Sequence, residues 1–159
     1  MIIKKYAEKG DLIFHTELAG SPFFLIKAEG KEIPSQTKEE TAQATASFSR
    51  AWNQGLTTAE VYAIAPDQVK KELGLPKGAF MIHGKREYFK PVIKLYIGVN
   101  KEKYIECSPI QKEFLLQQTG KKTDTAKYLQ KHWIEKYNMK FLLDEIMQSL
   151  PGDCSINLK

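Results

Sequence analysis

The stretch "PVIKLYIGVN", residues 91 to 100, sets Ile93, Leu95, Ile97 and Val99 on one side of an extended chain and Val92, Lys94, Tyr96 and Gly98 on the other. This period of two is the pattern of a half-buried strand, so the apolar side is expected to line the core. Downstream, "KYIEC" (103 to 107) follows across the turn "NKEK" (100 to 103), and "EFLLQQ" (113 to 118) reads either as a further strand or as a helical turn. Upstream, "AEVYAIAP" (59 to 66), closed by Pro66, and "AFMIHG" (79 to 84) read as short strands joined by the turn-rich "DQVKKELGLPKG" (67 to 78). Nearer the N-terminus, "DLIFHTEL" (11 to 18) and "SPFFLIKA" (21 to 28) are β-favouring runs separated by "AG", a hairpin or two adjacent strands. The polar "EGKEIPSQ" (29 to 36), with Gly30 and Pro34, reads as a loop.

Helices flank these strands. In "TKEETAQATASFSRAWNQG" (37 to 55), Thr37 and Glu40 have capping-box spacing and Gly55 supplies a stop, while Ala42, Thr45, Ser49 and Trp52 share a face with Ala46 and Phe48 beside it. Small residues on that face predict close approach to a sheet. "TDTAKYLQKHWIEKY" (123 to 137) reads as a helix capped at Thr123, with Ala126, Leu129 and Trp133 inward and Lys127, Lys131 and Lys136 outward. "FLLDEIMQSL" (141 to 150), stopped by Pro151 and Gly152, is a short helix, and "CSINL" (154 to 158) a final strand. The expected class is α+β: a mainly antiparallel or mixed sheet with flanking helices on one face.

At 159 residues the chain suits one core rather than two, so residues 1–159 are expected to form a single domain. No segment approaches the roughly 20 apolar residues of a membrane helix. "MIIKKYAEKGD" lacks an export signal, so a cytoplasmic location without a membrane partner is expected. Cys107 and Cys154 are too few for a zinc knuckle or a disulfide framework, and His15, His83 and His132 fall in separate segments without an HExxH pair. No metal or cofactor is expected. The net charge is +5, and residues 57 to 105 carry nine Lys/Arg against five Asp/Glu, an excess of four that makes up most of it. A local basic patch suits a phosphate backbone or an acidic protein surface, and equally a solvated lysine-rich face.

Of 24 basic residues, only Arg50 and Arg86 are arginines, the forked cations suited to phosphates and stacked bases. Arg86 follows Gly84 and Lys85 in a turn that offers cations and backbone amides to an anion, or else is an ordinary hairpin tip. Tyr88 and Phe89 supply either a stacking surface or core. Arg50, in "FSRAW", reads as an anion contact, as a partner of Trp52, or as a cap on the last helix carbonyls. His15 shares a strand side with Ile13 and Glu17 and reads first as a structural histidine. Ser21 has no nucleophile elbow around it and no P-loop is present, so no local motif argues for an enzyme.

Three stretches together, "KKYAEKGDLIFHTELAGSPFFLIK", "ETAQATASFSRAW" and "VYAIAPDQVKKELGLPKGAFMIHGKREYFK", resemble in order and spacing the NFACT-R domain of the ribosome quality control family, in a stand-alone, archaeal-like form. "KKTDTAKYLQKHW" and "LDEIMQSLPGDCSI" look like the closing helix and Pro-Gly segment of the same domain. The resemblance implies a non-enzymatic RNA-binding role, with tRNA or ribosomal RNA as the partner. It does not extend to the family's N-terminal glycosylase-like, helix-hairpin-helix and coiled-coil modules or to tail synthesis; a protein partner supplying those modules is a further expectation. "GKREYF" is similar to the family's "GKRNYF" turn, so the resemblance implies RNA contacts by Lys85, Arg86 and Tyr88. His15, Gly20 and Arg50 match its "HADIHG" and "FSRAW" motifs, and Lys77 and Lys90 would neutralise phosphates. His83 stands where relatives commonly have arginine, and Ala19 where they have a second histidine. Two competing readings are an accessory module that delivers an RNA-modifying or ribosome-associated enzyme, and an enzyme in which residues among His15, Glu17, Ser21 or Arg50 converge in one pocket.

Overall fold

The computed structural model describes residues 6–18, 20–70 and 81–157. The alternating stretch forms β7 (Tyr96–Val99), which pairs antiparallel with β8 (Ile105–Ser108) on one side and β9 (Phe114–Gln117) on the other. The turn between β7 and β8 is closed by Asn100, whose side-chain oxygen accepts from the Tyr104 amide at 2.9 Å. "EFLLQQ" is thus a strand, and β10 (Ser155–Ile156) adds to its far side. Ile93 and Leu95 are buried as the alternation predicts but precede the paired strand, held by Ile93 N–H to the Thr57 carbonyl at 2.8 Å and Leu116 N–H to the Leu95 carbonyl at 2.9 Å.

A second sheet has the order β2-β1-β3-β6, built from β1 (Leu12–Thr16), β2 (Phe24–Ile26), β3 (Val61–Ile64) and β6 (Glu87–Phe89). The two N-terminal runs do form a hairpin, but residues 17 to 23 connect them rather than the two-residue "AG" link. Thr16 explains the longer link: its hydroxyl accepts from the Leu18 amide at 3.1 Å and also bonds the Ser21 hydroxyl, so a side-chain turn replaces a tight hairpin. A two-stranded ribbon, β4 (Val69–Lys70) with β5 (Met81–Ile82), lies between β3 and β6 in the chain. Every described strand pair is antiparallel, which resolves the mixed alternative.

Helix α1 (Ser35–Ser47) packs on β1 and β3 through Ala42 and Ala46, both fully buried. The expected capping box at Thr37 does not form. The helix begins at Ser35 with Pro34 as its N-cap residue, and Thr37 lies inside it, its carbonyl accepting from the Thr41 hydroxyl at 2.8 Å. It ends at Ser47 because Ser49 takes over the local backbone, donating to the Ala46 carbonyl at 2.6 Å and accepting from the Ala51 amide at 3.2 Å. Ser49 and Trp52 are therefore buried from turns, not from the helix face. Helix α2 (Lys122–Tyr137) is likewise not capped by Thr123; Asp153 Oδ1, 31 residues on, accepts from the Lys122 amide at 2.9 Å. Asn138, at φ 54°, closes its other end in the left-handed conformation. Helix α3 (Leu143–Ser149) packs on α2 and β8.

One core joins both sheets. Phe14, Ala46 and Val61 from the first half cluster with Leu95, Ile97, Leu116, Trp133 and Ile146 from the second. Trp52 links the halves directly, its indole N–H donating to the Asp153 carbonyl at 2.9 Å. Both cysteines are free, and burial pushes Cys107 up to about 12 and Cys154 up to about 11, leaving them protonated. Among the described residues no helix is long and apolar enough to cross a membrane, and no group of His, Cys, Asp and Glu is placed to hold a metal ion.

Candidate nucleic-acid interface

Strand register brings separate parts of the chain onto one face of the first sheet. His15 opposes Tyr62 across β1 and β3, and Tyr62 opposes Tyr88 across β3 and β6. Directly opposed residues point the same way, and α1 covers the other side. On that covered side Phe14 and Phe89 meet with ring centroids 5.6 Å apart, and Glu87 reaches Lys38 of α1 at 3.5 Å. The adjacent aromatics therefore divide: Phe89 packs into the core, whereas Tyr88 is 56% exposed on the open face.

The open face carries a continuous row of flat groups. Phe23 stacks on His15 with centroids 3.9 Å apart and planes 7° from parallel. His15 then meets Tyr62 edge-on at 6.0 Å, and Tyr62 meets Tyr88 edge-on at 6.4 Å. Arg86 lies over Tyr62, its Cζ 4.6 Å from the ring centre, and its Nη1 donates to Glu17 Oε1 at 2.5 Å. Beyond this row the same face is closed over by the ribbon, where Val69 and Ile82 cover Ile13 and Ile64.

His15 Nδ1–H donates to the Pro22 carbonyl at 3.1 Å. Burial lowers its pKa, opposed by the Pro22 bond and the Glu17 charge, so the ring is mainly neutral near pH 7. With Nδ1 protonated, Nε2 is an acceptor, and it has no hydrogen-bond partner among the described residues. Burial also raises the Tyr62 hydroxyl, as do Glu17 and Tyr88, while Arg86 opposes them.

The basic rim is set by Gln68. Its side-chain nitrogen donates to the His83 and Lys85 carbonyls, both at 2.8 Å, and its oxygen accepts from the Ala65 amide at 2.8 Å. Gly84 makes this clamp possible: at φ 80° it adopts a conformation open to glycine, and a Cβ there would sit 3.3 Å from the Gln68 nitrogen. The turn is not a hairpin tip, because β5 pairs with β4 and β6 with β3; it joins the ribbon to the sheet. Lys85 is exposed just before β6, with His83 exposed two residues earlier, whereas Lys90, exposed past the other end of β6, lines a groove with Gln36, Glu40 and Gln43 of α1 on the covered side; neither ammonium group has an ion pair among the described residues. Lys77 and Ala19 lie outside the described residues.

Arg50 stands apart from the row, against the loop between β1 and β2. A Cβ on Gly20, which has φ 76°, would lie 3.4 Å from Arg50 Nε. Neither stacking on Trp52 nor capping of helix carbonyls by Arg50 occurs among the described residues. Trp52 is buried with its N–H on Asp153, and Ser49 takes the Ala46 carbonyl. The residues of the enzyme reading have separate engagements: His15 with Phe23 and Pro22, Glu17 with Arg86, Ser21 with Thr16, and Arg50 beside Gly20. Sequence reasoning missed Tyr62 and Phe23 as members of the row. The signal for Tyr62 is strand parity, since it alternates with Val61 and Ala63, but using it requires knowing which strand lies opposite; Phe23 precedes β2 and carries no such signal.

A sequence model described as the NFACT protein RNA binding domain matches residues 1–84. The chain is 42% identical over 104 residues to the archaeal Rqc2 homolog aRqcH of Methanocaldococcus jannaschii, a match covering 62% of this chain and 16% of that protein. It is 33% identical over 105 residues to the ribosome quality control complex subunit NEMF homolog of Drosophila melanogaster, covering 63% of this chain and 10% of that protein. Among solved structures, the C-terminal part of the fibronectin/fibrinogen-binding protein of Streptococcus suis aligns with a TM-score of 0.46 at 22% identity, over 57% of this chain and 34% of that one. The chain thus spans a small fraction of the curated relatives it matches. It belongs to the NFACT protein RNA binding domain family.

Proposed function

We propose that the chain binds RNA, without catalysing a reaction, through the open face of its first sheet, and that the RNA is tRNA or ribosomal RNA engaged during ribosome quality control in the cytoplasm. The observation that carries this reading is the row Phe23, His15, Tyr62, Arg86 and Tyr88, ending in an exposed tyrosine with the exposed Lys85 next to Arg86 in the chain. An aromatic ledge beside a free lysine suits nucleic acid: bases stack on rings and a phosphate meets the ammonium group. Family membership supports RNA as the ligand, and the quality control relatives support the setting.

Binding of bulk tRNA and of an unrelated duplex DNA across a salt series tests this reading, alongside Lys85→Ala/Arg86→Ala. The expected result is a preference for tRNA and, in the double variant, weaker binding with the log-log salt slope flatter by roughly 0.7 to 0.9, the share of Lys85, since Arg86 is already ion-paired with Glu17. Equal binding of both nucleic acids, unchanged in the variant, contradicts it and turns attention to a protein partner.

A further inference from the structure

The chemistry that makes Arg86 the best phosphate ligand of the row is already committed to Glu17. The guanidinium lies over Tyr62, its Cζ 4.6 Å from the ring centre, with its side chain 25% exposed, whereas the Glu17 side chain is 67% exposed at the end of β1. The two are 69 residues apart in the chain, and the pair ties the β1 end to the start of β6. Because the arginine is held by the ring and the carboxylate stands in water, Glu17 is the partner free to leave.

From this geometry, and resting on the RNA reading above, we infer that Glu17 is a specificity gate: a phosphate reaches Arg86 only by displacing its carboxylate, so the row disfavours ligands that offer charge alone and selects those that can anchor through unpaired bases. A plain polyanion must break the ion pair and face a freed carboxylate, with no compensating contact. An unpaired RNA segment can instead stack a base on the exposed Tyr88 ring and leave the ion pair in place, which a duplex with its bases internally stacked cannot do. Selectivity therefore comes from a repulsive group placed beside an attractive one. Glu17 thereby becomes a specificity-determining residue acting through Arg86.

Glu17→Gln tests the gate by titration with three probes: an unpaired RNA oligonucleotide, its duplex, and inorganic polyphosphate. The substitution is expected to raise affinity for polyphosphate and duplex by about two- to fivefold, the worth of a partly exposed ion pair, and for unpaired RNA by less. The log-log salt slope should steepen by up to about 0.9, because one more cation is open to phosphate. In an Arg86→Ala background the gain should vanish. A gain that persists without Arg86, or unchanged affinities for all three probes, overturns the gate. A purely structural ion pair moves the thermal midpoint and leaves the salt slope alone, which also overturns it. If unpaired RNA binds in a Tyr88-dependent way while Glu17→Gln has no effect, the gate falls and the RNA reading stands. If the Arg86-dependent gain appears on polyphosphate but unpaired RNA is not preferred, Glu17 screens Arg86 without selecting, and both the specificity gate and the RNA reading fall.

Discussion

Glu113 gathers more hydrogen-bond donors than any other carboxylate among the described residues, and none is adjacent in sequence. Trp133 Nε1–H donates to Oε1 at 2.9 Å, while Lys136 at 2.5 Å, the Tyr137 hydroxyl at 3.0 Å and His132 Nε2–H at 3.3 Å converge on Oε2. Burial raises this carboxyl, but the bonds from Lys136, Trp133, His132 and Tyr137 outweigh it and hold its pKa at about 2, below an unfolded value of 4.5. Since the folded value is depressed, the stabilisation is complete above pH 4.5 and is lost as pH falls toward 2. Allowing for the half-exposed Lys136, Glu113→Gln is expected to cost about 2 kcal/mol near neutral pH and much less near pH 2. Denaturation midpoints at the two pH values check this, and an equal loss at both contradicts it. The same scale shows what is legible from sequence. Arg86 and Tyr88 stand out by residue type and by the "GKREYF" motif, whereas Glu17 becomes Arg86's partner only when β1 and β6 are brought to one end of the sheet.

At the scale of elements, patterning located the strands better than the helix ends. The alternation of residues 91 to 100 identified the buried set Ile93, Leu95 and Ile97, because burial on one face imposes the period directly. Helix starts misread because local capping spacing lost to partners elsewhere: Asp153 serves α2, and Pro34 precedes α1. Gly98 on β7 shows an element limited by its neighbour. A Cβ there would meet the Glu113 backbone nitrogen and Lys112 Cβ, each at 3.2 Å. Gly98→Ala is therefore expected to destabilise by about 1 to 2 kcal/mol, because backbone rather than a flexible side-chain tip must move. An unchanged chemical-denaturation midpoint contradicts this approach of β7 to the segment before β9.

For the whole molecule, the family match ends at residue 84, yet the core does not. Trp52 anchors on Asp153, and Ile97, Trp133 and Ile146 fill the space beneath Phe14 and Val61, so the second sheet with α2 and α3 backs the sheet that bears the row. The single α+β domain was readable from the order of strand and helix patterns; the split into two sheets was not, since it depends on which strands pair. This arrangement also supplies an internal control: Tyr104, 69% exposed in the turn of the second sheet, lies outside the row. The direct test of the account is tRNA affinity of Tyr88→Ala beside Tyr104→Ala. Loss of a base-stacking ring predicts weakening of about tenfold or more for Tyr88→Ala, with wild-type affinity for Tyr104→Ala. Equal affinities in the two variants, or loss at Tyr104 alone, would contradict placement of RNA on the open face of the first sheet.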